Sequence, residues 1–326
     1  MLWRGTSETS SHLLAGIDLE RTYATVHRNR RCRLSIKNYI QDLLLKIRHP
    51  LPTKKQLSPH KHRAIHYGAK EQYTHIETPT PKLDPKGVLR IQAIVGALLF
   101  YGRAVDNKLL VALNTIGSQQ AQATEATNDA MATLLDYVAT YPDDGILYRA
   151  SDMILAAHAD AGFHNETKGR SRAGAHIFLS EDEPIPRWNG AILTIAQIIK
   201  FVMASAAEAE LGALFITAKK VLPIRQTLIE MGWPQPPTPI QTDNTTAVGV
   251  VNKTLVSNKL KSMDLRYHWL RCRAAQDQFR FYWDKGSSNW GNYSTKHHPP
   301  VYHESKRPLF AGAAKRLYQA LAFGTQ

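Results

Sequence analysis

The hydrophobic period of this chain changes partway along, and that change constrains its fold more than any other feature. Between Pro85 and Tyr148 apolar residues recur at helical spacing, whereas "ILYRASDMILAAHAD", "RAGAHIFLS" and "RWNGAILT" are short β-rich runs. Polar turns such as "HNETKGRS" and "SEDEPIP" part them, as expected for consecutive strands. The pattern then alternates. A helix "SAAEAELGALFITAKKVL", a Pro-rich break "WPQPPTP" and a strand "IQTD" are followed by helices "NTTAVGVVNK" and "LKSMDLRYHWLRCRAAQ", a strand "FRFYW" and a last polar helix near "NWGNYSTKHH". The order βββαβααβα predicts an α/β fold: one sheet of mixed direction with helices packed on it.

Upstream, "DPKGVLRIQAIVGALLFYGRAV" places Val88, Ile91, Val95, Leu98 and Leu99 on one helical face. "TEATNDAMATLLDYVATY" does the same with Met131, Leu134, Leu135 and Val138 behind a cap at Thr124. Earlier still, "IKNYIQDLLLKIRHP" predicts one short amphipathic helix and "LPTKKQLSPHKHR" a linker, in which His60, His62 and the nearby His66 read as solvated loop histidines rather than a metal site. "YPDD", Tyr141 to Asp144, looks like the YxDD that carries two metal-binding aspartates in reverse transcriptases. That motif needs a hairpin between apolar strands, whereas here a helix precedes it and Pro142 removes a strand amide. The four residues read as a helix-ending turn.

Charge narrows the partners. Forty-one Lys and Arg against 27 Asp and Glu give +14, with a pI near 9.7, which favours a polyanion such as nucleic acid over a neutral metabolite. Cys32 and Cys272 stand far apart with no CxxC pair, so reduced thiols inside a cell, cytoplasmic or nuclear, are expected. No signal peptide is predicted, and Gln197 and Lys200 break the apolar run "AILTIAQIIKFVMASAA", so no membrane span is expected.

Three acids fall where a strand ends or a helix begins. Asp160 is expected to end the first strand, Glu210 lies in the first turns of the "AAEAELGAL" helix, and Asp243 ends "PIQTD". Groups at strand ends converge in α/β sheets, and three carboxylates suit a hard divalent cation, above all Mg²⁺. Two such ions roughly 3.5 to 4 Å apart support phosphodiester cleavage. Taken singly, Asp243 reads better as a helix N-cap, Glu210 as an exposed helix acid and Asp160 as an Asx-turn residue; it is their joint placement that raises the metal reading.

Several ordered motifs together resemble the C-terminal part of a copia-type retrotransposon polyprotein, from the end of the reverse transcriptase through its ribonuclease H domain. "RIQAIVGALLFYGRAVDNKLLVAL" resembles the helical stretch after the polymerase palm, and "HADAGFHNETKGRSRAGAHIFLS" the first two ribonuclease H strands. "ASAAEAELGAL" is similar to a Ser-Thr-Glu-Ala-Glu segment, "QTDNTTAVGVVNK" to Asp-Asn-x-x-Ala, "KSMDLRYHWLR" to Lys-x-x-Asp-x-Arg-Tyr-His and "NWGNYSTKHHPP" to a closing Ala-Asp-x-x-Thr-Lys element. The likeness runs from about Gly16 to Leu309. It implies a ribonuclease H-like mixed sheet flanked by helices and preceded by a mainly helical post-palm segment. It also implies cleavage of RNA in RNA·DNA hybrids by two Mg²⁺ ions, with Mn²⁺ as a substitute. Asp160, Glu210 and Asp243 match three of the four metal-binding acids, and Glu208 is the weaker match in "AEL".

Two departures qualify the expected activity. Asn292 stands where the closing element has aspartate, with Gly291 where alanine is usual. An amide oxygen brings no charge to offset Mg²⁺ and cannot act as a base, so a second ion should bind more weakly. The other departure is that no apolar-flanked YxDD hairpin occurs, so polymerisation is not expected of this chain by itself. Segments 1–84 (basic, with the palm end and a linker), 85–148 (helical), 149–310 (ribonuclease H-like) and 311–326 (a tail) are predicted. Lys261, Arg266, Arg271, Arg273 and Lys296 are the candidate contacts to hybrid phosphates, and the missing palm or another copy of the polyprotein is a further candidate partner. Tyr267 and Trp269 cannot share a helical face, so at least one should be core. The alternative is a catalytically inactive remnant that only binds nucleic acid.

Overall fold

A computed structural model describes residues 8–14, 17–23, 31–63, 79–166, 169–201, 203–252 and 264–310. The described residues divide into two compact units: one gathers those within 8–63, 79–150 and 297–310, the other those within 151–296.

Unit one holds an antiparallel sheet of strands β1 (Glu8–Leu14), β2 (Ile17–Tyr23), β3 (Arg31–Ser35) and β4 (Ile146–Arg149), in that order. Its helices are α1 (Tyr39–Lys46), α2 (Pro85–Ala104), α3 (Leu110–Gln119) and α4 (Glu125–Thr140). The apolar stripes are mostly core: Ile91, Val95 and Leu98 of α2, joined by Ile94, share a buried cluster with Met131, Leu134, Leu135 and Val138 of α4 and Ile40 and Leu44 of α1, whereas Val88 packs against it only partly buried and Leu99 is not part of it. Asp84 caps α2 through the Gly87 amide, and Thr124 with Thr127 forms a capping box on α4. By length and composition α2 could cross a membrane, but its apolar face is part of this core.

"YPDD" ends α4 as a turn, and its two aspartates part. The Asp143 carboxylate accepts from Gln41 Nε2 at 3.2 Å, whereas Asp144 is buried with the fully buried Lys108 at 3.1 Å and with Arg307. His60 departs from expectation. It is buried, its ring 4.6 Å from that of His297 and 4.9 Å from that of His303, because the segment after Pro52 packs into unit one instead of running through solvent. His62 is exposed, with Nδ1 2.8 Å from the His297 carbonyl oxygen, and His66 lies outside the described residues.

Unit two is a five-stranded mixed sheet. Strands β5 (Ile154–Glu166), β6 (Arg170–Ser180) and β7 (Ala191–Ile198) form an antiparallel meander, and β8 (Thr238–Thr242) and β9 (Phe279–Trp283) add in parallel on the other side of β5, giving β7-β6-β5-β8-β9. Helices α5 (Ala206–Glu230), α6 (Thr245–Val251) and α7 (Asp264–Ala275) complete it. This is the ribonuclease H-like mixed sheet that the resemblance implies. Small residues carry its central layer: Ala157, Ala159 and Ala161 of β5 pack with Ala209, Ala213, Leu214 and Ala218 of α5. Tyr267 and Trp269 both pack, partly buried, against this core.

Several expected boundaries move. "ILYRASDMILAAHAD" is two strands in two sheets, broken at Ser151–Met153, where Met153 takes a positive φ of 61°. The "SAAEAELGALFITAKKVL" helix continues through Pro223 to Glu230. Pro223 sits at an exposed position of the helix, where solvent can satisfy the carbonyl that a proline leaves without an amide partner. The last polar helix is a 3-10 turn, Trp290–Ser294, and the following α8 (Pro300–Phe310) groups with unit one, so unit two closes at Lys296 rather than near 310.

Leu214 of α5 is fully buried among the unit-two core. Leu214→Ala is expected to cost about 2–5 kcal/mol in urea unfolding monitored on the unit-two transition; a loss below about 0.5 kcal/mol would contradict this packing.

Candidate metal centre

The centre forms where β5 and β8 part. Their parallel pairing covers Ala157 with Ile240 and His158 with Gln241. Beyond it the Ala161 amide donates to Glu210 Oε1 at 3.2 Å, and Thr242 Oγ1 lies 3.4 Å from Glu210 Oε2. Asp243 follows the last residue of β8. Asp160, Glu210 and Asp243 each offer a carboxylate oxygen, and these atoms lie within 4.8 Å of one another.

The single-residue alternatives fall away on position. Asp160 lies inside β5, opposite Gly174 of β6, rather than ending a strand, so it is not an Asx-turn residue. Glu210 is buried on α5 rather than exposed. The N-cap of α6 is Asn244, whose side chain accepts from the Ala247 amide, which leaves the Asp243 carboxylate for another role. Glu208 turns back to the start of α5, accepting from the Ala204 amide at 2.8 Å, next to the Ser205 cap.

A short turn holds the other side of the centre. Alternation along β5 sends Leu155, Ala157, Ala159 and Ala161 into the α5 core, and His158 and Asp160 to the opposite face. There the 3-10 turn is fixed by Asn289 Nδ2 donating to the Ala159 carbonyl at 2.8 Å and by the Trp290 amide donating to His158 Nδ1 at 3.2 Å. Thr295 Oγ1 donates to Asp160 Oδ2 at 2.7 Å. Glycine permits this approach: a Cβ on Gly174 would lie 2.5 Å from the Gly291 carbonyl oxygen, and one on Gly291 3.0 Å from the Asp160 amide and the His158 carbonyl oxygen. That gives Gly291, where alanine is usual, a steric reason here. Gly286 likewise makes room for the Asp243 carboxylate, since a Cβ would come within 2.6 Å of Oδ2.

Electrostatics mark the same place. Burial raises the Asp160 carboxyl from its ordinary 3.8 to about 6; repulsion from Asp243 adds to this, and Lys296, Thr295 and the Ala161 amide offset part of it. Burial, then repulsion from Asp160 and Asp243, holds Glu210 well above the ordinary carboxylate range. Buried like charges at this spacing are stabilised by a cation, and an all-oxygen donor set fits Mg²⁺ or Mn²⁺. Among the described residues this is the group of acids, histidines or cysteines placed to hold a metal ion.

The remaining sequence candidates are not among the three clustered carboxylates. Asn292 Oδ1 accepts from Lys296 Nζ at 3.1 Å. On α7 the guanidiniums rest on the unit's own aromatic rings: Arg266 on Phe201 at 3.8 Å, Arg271 on Tyr267 at 4.1 Å and Arg273 on Trp269 at 5.1 Å. Arg271 Nε also donates to the Val250 carbonyl. Lys261 lies outside the described residues. Thr242, Thr295 and the Ala161 amide were not anticipated; the only trace of them in the sequence is a Thr beside two of the motif residues, Asp243 and Lys296.

Without divalent ions the folded protein keeps a proton on Asp160 that the unfolded chain releases between about pH 4 and 6, so stability is full below that window and falls as pH rises through it, by about 3 kcal/mol for this group. Asp160→Asn should therefore be more stable than the natural chain at about pH 8 without metal, and its Tm should not rise with Mn²⁺, as differential scanning calorimetry would show. A second steric test is Gly291→Ala, expected to destabilise by about 1–3 kcal/mol on chemical denaturation despite restoring the usual alanine.

No family model matches the chain. Over 143 residues it is 26% identical to a retrovirus-related Pol polyprotein from the tobacco (Nicotiana tabacum) transposon TNT 1-94, a match covering 44% of this chain and 10% of that polyprotein. Solved structures similar to it include a ribonuclease H1 isolated from compost by a metagenomic approach, at 12% identity and TM-score 0.34, over 44% of this chain and 93% of that one. The ribonuclease H domain of a Mycobacterium tuberculosis protein follows at 15% and 0.30, over 42% and 91%. The prototype foamy virus protease-reverse transcriptase is similar at 15% and 0.26, over 50% of this chain and 20% of that one. By its ordered motifs and this sequence match the chain is similar to part of a retroelement Pol polyprotein, of which the match spans about a tenth of the length.

Proposed function

We propose that unit two binds RNA·DNA hybrids and hydrolyses the RNA strand in the presence of Mg²⁺ or Mn²⁺. The observation that carries this reading is the set of three carboxylates within 4.8 Å at the parting of β5 and β8, two of them buried and mutually repelling. Asp160, Glu210 and Asp243 would hold the ion, which supplies Lewis-acid stabilisation of the phosphodiester and positions water for attack. Thr295 fixes the Asp160 oxygen and the Ala161 amide fixes Glu210, so the donors are held before an ion arrives. The net charge of +14 draws in a polyanion. Nucleic-acid contacts from Arg266, Arg271 and Arg273 belong to this proposal; their rings of Phe201, Tyr267 and Trp269 hold the guanidiniums in place with their charge intact.

A specific observation favours a second reading, hybrid binding with little or no cleavage: Asn292 brings no charge and its oxygen is engaged by Lys296.

A labelled RNA·DNA hybrid with Mg²⁺ or Mn²⁺ separates the two. The first reading expects slow cleavage by the natural chain, none by Asp243→Asn, and a gain of about tenfold or more for Asn292→Asp. Cleavage only by Asn292→Asp would support the binder, and cleavage that survives Asp243→Asn would overturn the carboxylate site.

A further inference from the structure

We propose that Trp283 is a nucleic-acid contact beside the carboxylate centre, its indole packing on the sugar of the nucleotide next to the phosphate that the centre holds. This rests on the hybrid-binding reading above and adds to it a side chain that seats the strand.

The placement comes from β9. Alternation along that strand turns Phe279 and Phe281 into the core of unit two. Trp283 follows two residues on, past the end of that core, and is left 51% exposed. It pairs with Thr242, the residue before Asp243. Its Nε1 donates to the Asp243 carbonyl oxygen at 3.0 Å, which fixes the ring beside a residue of the centre. That bond uses the single donor of the indole, so what the exposed ring still offers a ligand is an apolar face.

The chain that follows stays close to the same aspartate. Gly286 passes so near the Asp243 carboxylate that a Cβ would lie 2.6 Å from Oδ2. The turn is held by Asp284, whose carboxylate accepts from the Lys285 amide and from Ser288 Oγ at 2.7 Å each. Lys285, exposed, stands between Trp283 and Gly286. An apolar ring, a cation and an ion-holding carboxylate along one short path match a sugar, its neighbouring phosphate and the phosphate at the ion. In a paired hybrid the bases are stacked inside the helix while the sugars border the wide minor groove, so a sugar is what an exposed ring meets. Trp233, also exposed at 44%, precedes β8 and so sits at the opposite end of that strand from Asp243.

The test is binding of a fluorescein-labelled RNA·DNA hybrid to the full chain, read by anisotropy with Ca²⁺ in place of Mg²⁺ to keep the hybrid intact, with Mn²⁺ affinity measured in parallel by calorimetry. Trp283→Ala should weaken hybrid binding about tenfold and leave Mn²⁺ affinity unchanged. Trp283→Phe, which keeps an aromatic face and loses the Nε1 donor, should bind the hybrid within about threefold of the natural chain, and Trp233→Ala should match the natural chain; circular dichroism checks that all are folded. Equal hybrid binding by the natural chain and Trp283→Ala would overturn the inference while leaving the hybrid-binding reading standing. So would a loss that Trp283→Phe or Trp233→Ala shares in full, or one matched by an equal loss of Mn²⁺ affinity. No hybrid binding by the natural chain would overturn both.

Discussion

The candidate centre of unit two depends on three carboxyl groups being held together, two of them buried. Asp160 and Glu210 sit out of water within 4.8 Å of each other and of Asp243, and in a medium of low polarisability that arrangement is unfavourable unless protons or a cation relieve it. The fold tolerates it because the rest of the unit is conventional: an alanine-rich β5 against an alanine-rich α5, with Leu155, Ile177, Leu214 and Val221 filling the layer between. Small residues on both sides bring helix and sheet close, and closeness is what delivers Glu210 to the Ala161 amide.

The 3-10 turn is the second support. It contributes no acid to the centre, yet it fixes Asp160 through Thr295 and fixes itself through Asn289, Trp290 and His158. Its position depends on the lack of side chains at Gly174 and Gly291. An Asn in place of Asp at 292 therefore changes the charge near the centre without altering the scaffold that carries it.

Much of this was legible in the sequence because it depends on local chemistry. Period-2 runs marked β5, β6 and β7; Thr124 marked the start of α4; and Asp160, Glu210 and Asp243 stood at the element positions that bring them together. What stayed hidden depends on contacts distant along the chain. His60 is buried only because rings more than two hundred residues later cover it. Met153 breaks one apparent strand into two through a backbone angle that its residue type does not announce. Pro223 reads as a helix stop, yet α5 carries it on an exposed face. The grouping of α8 with unit one is likewise a packing outcome that no local pattern encodes.

The most direct test of the centre is anomalous diffraction from crystals of the natural chain soaked in Mn²⁺. A peak about 2.0–2.3 Å from one oxygen of each of Asp160, Glu210 and Asp243 is the predicted result. A Mn²⁺ ion bound elsewhere in unit two, with these three carboxylates left without one, would contradict it.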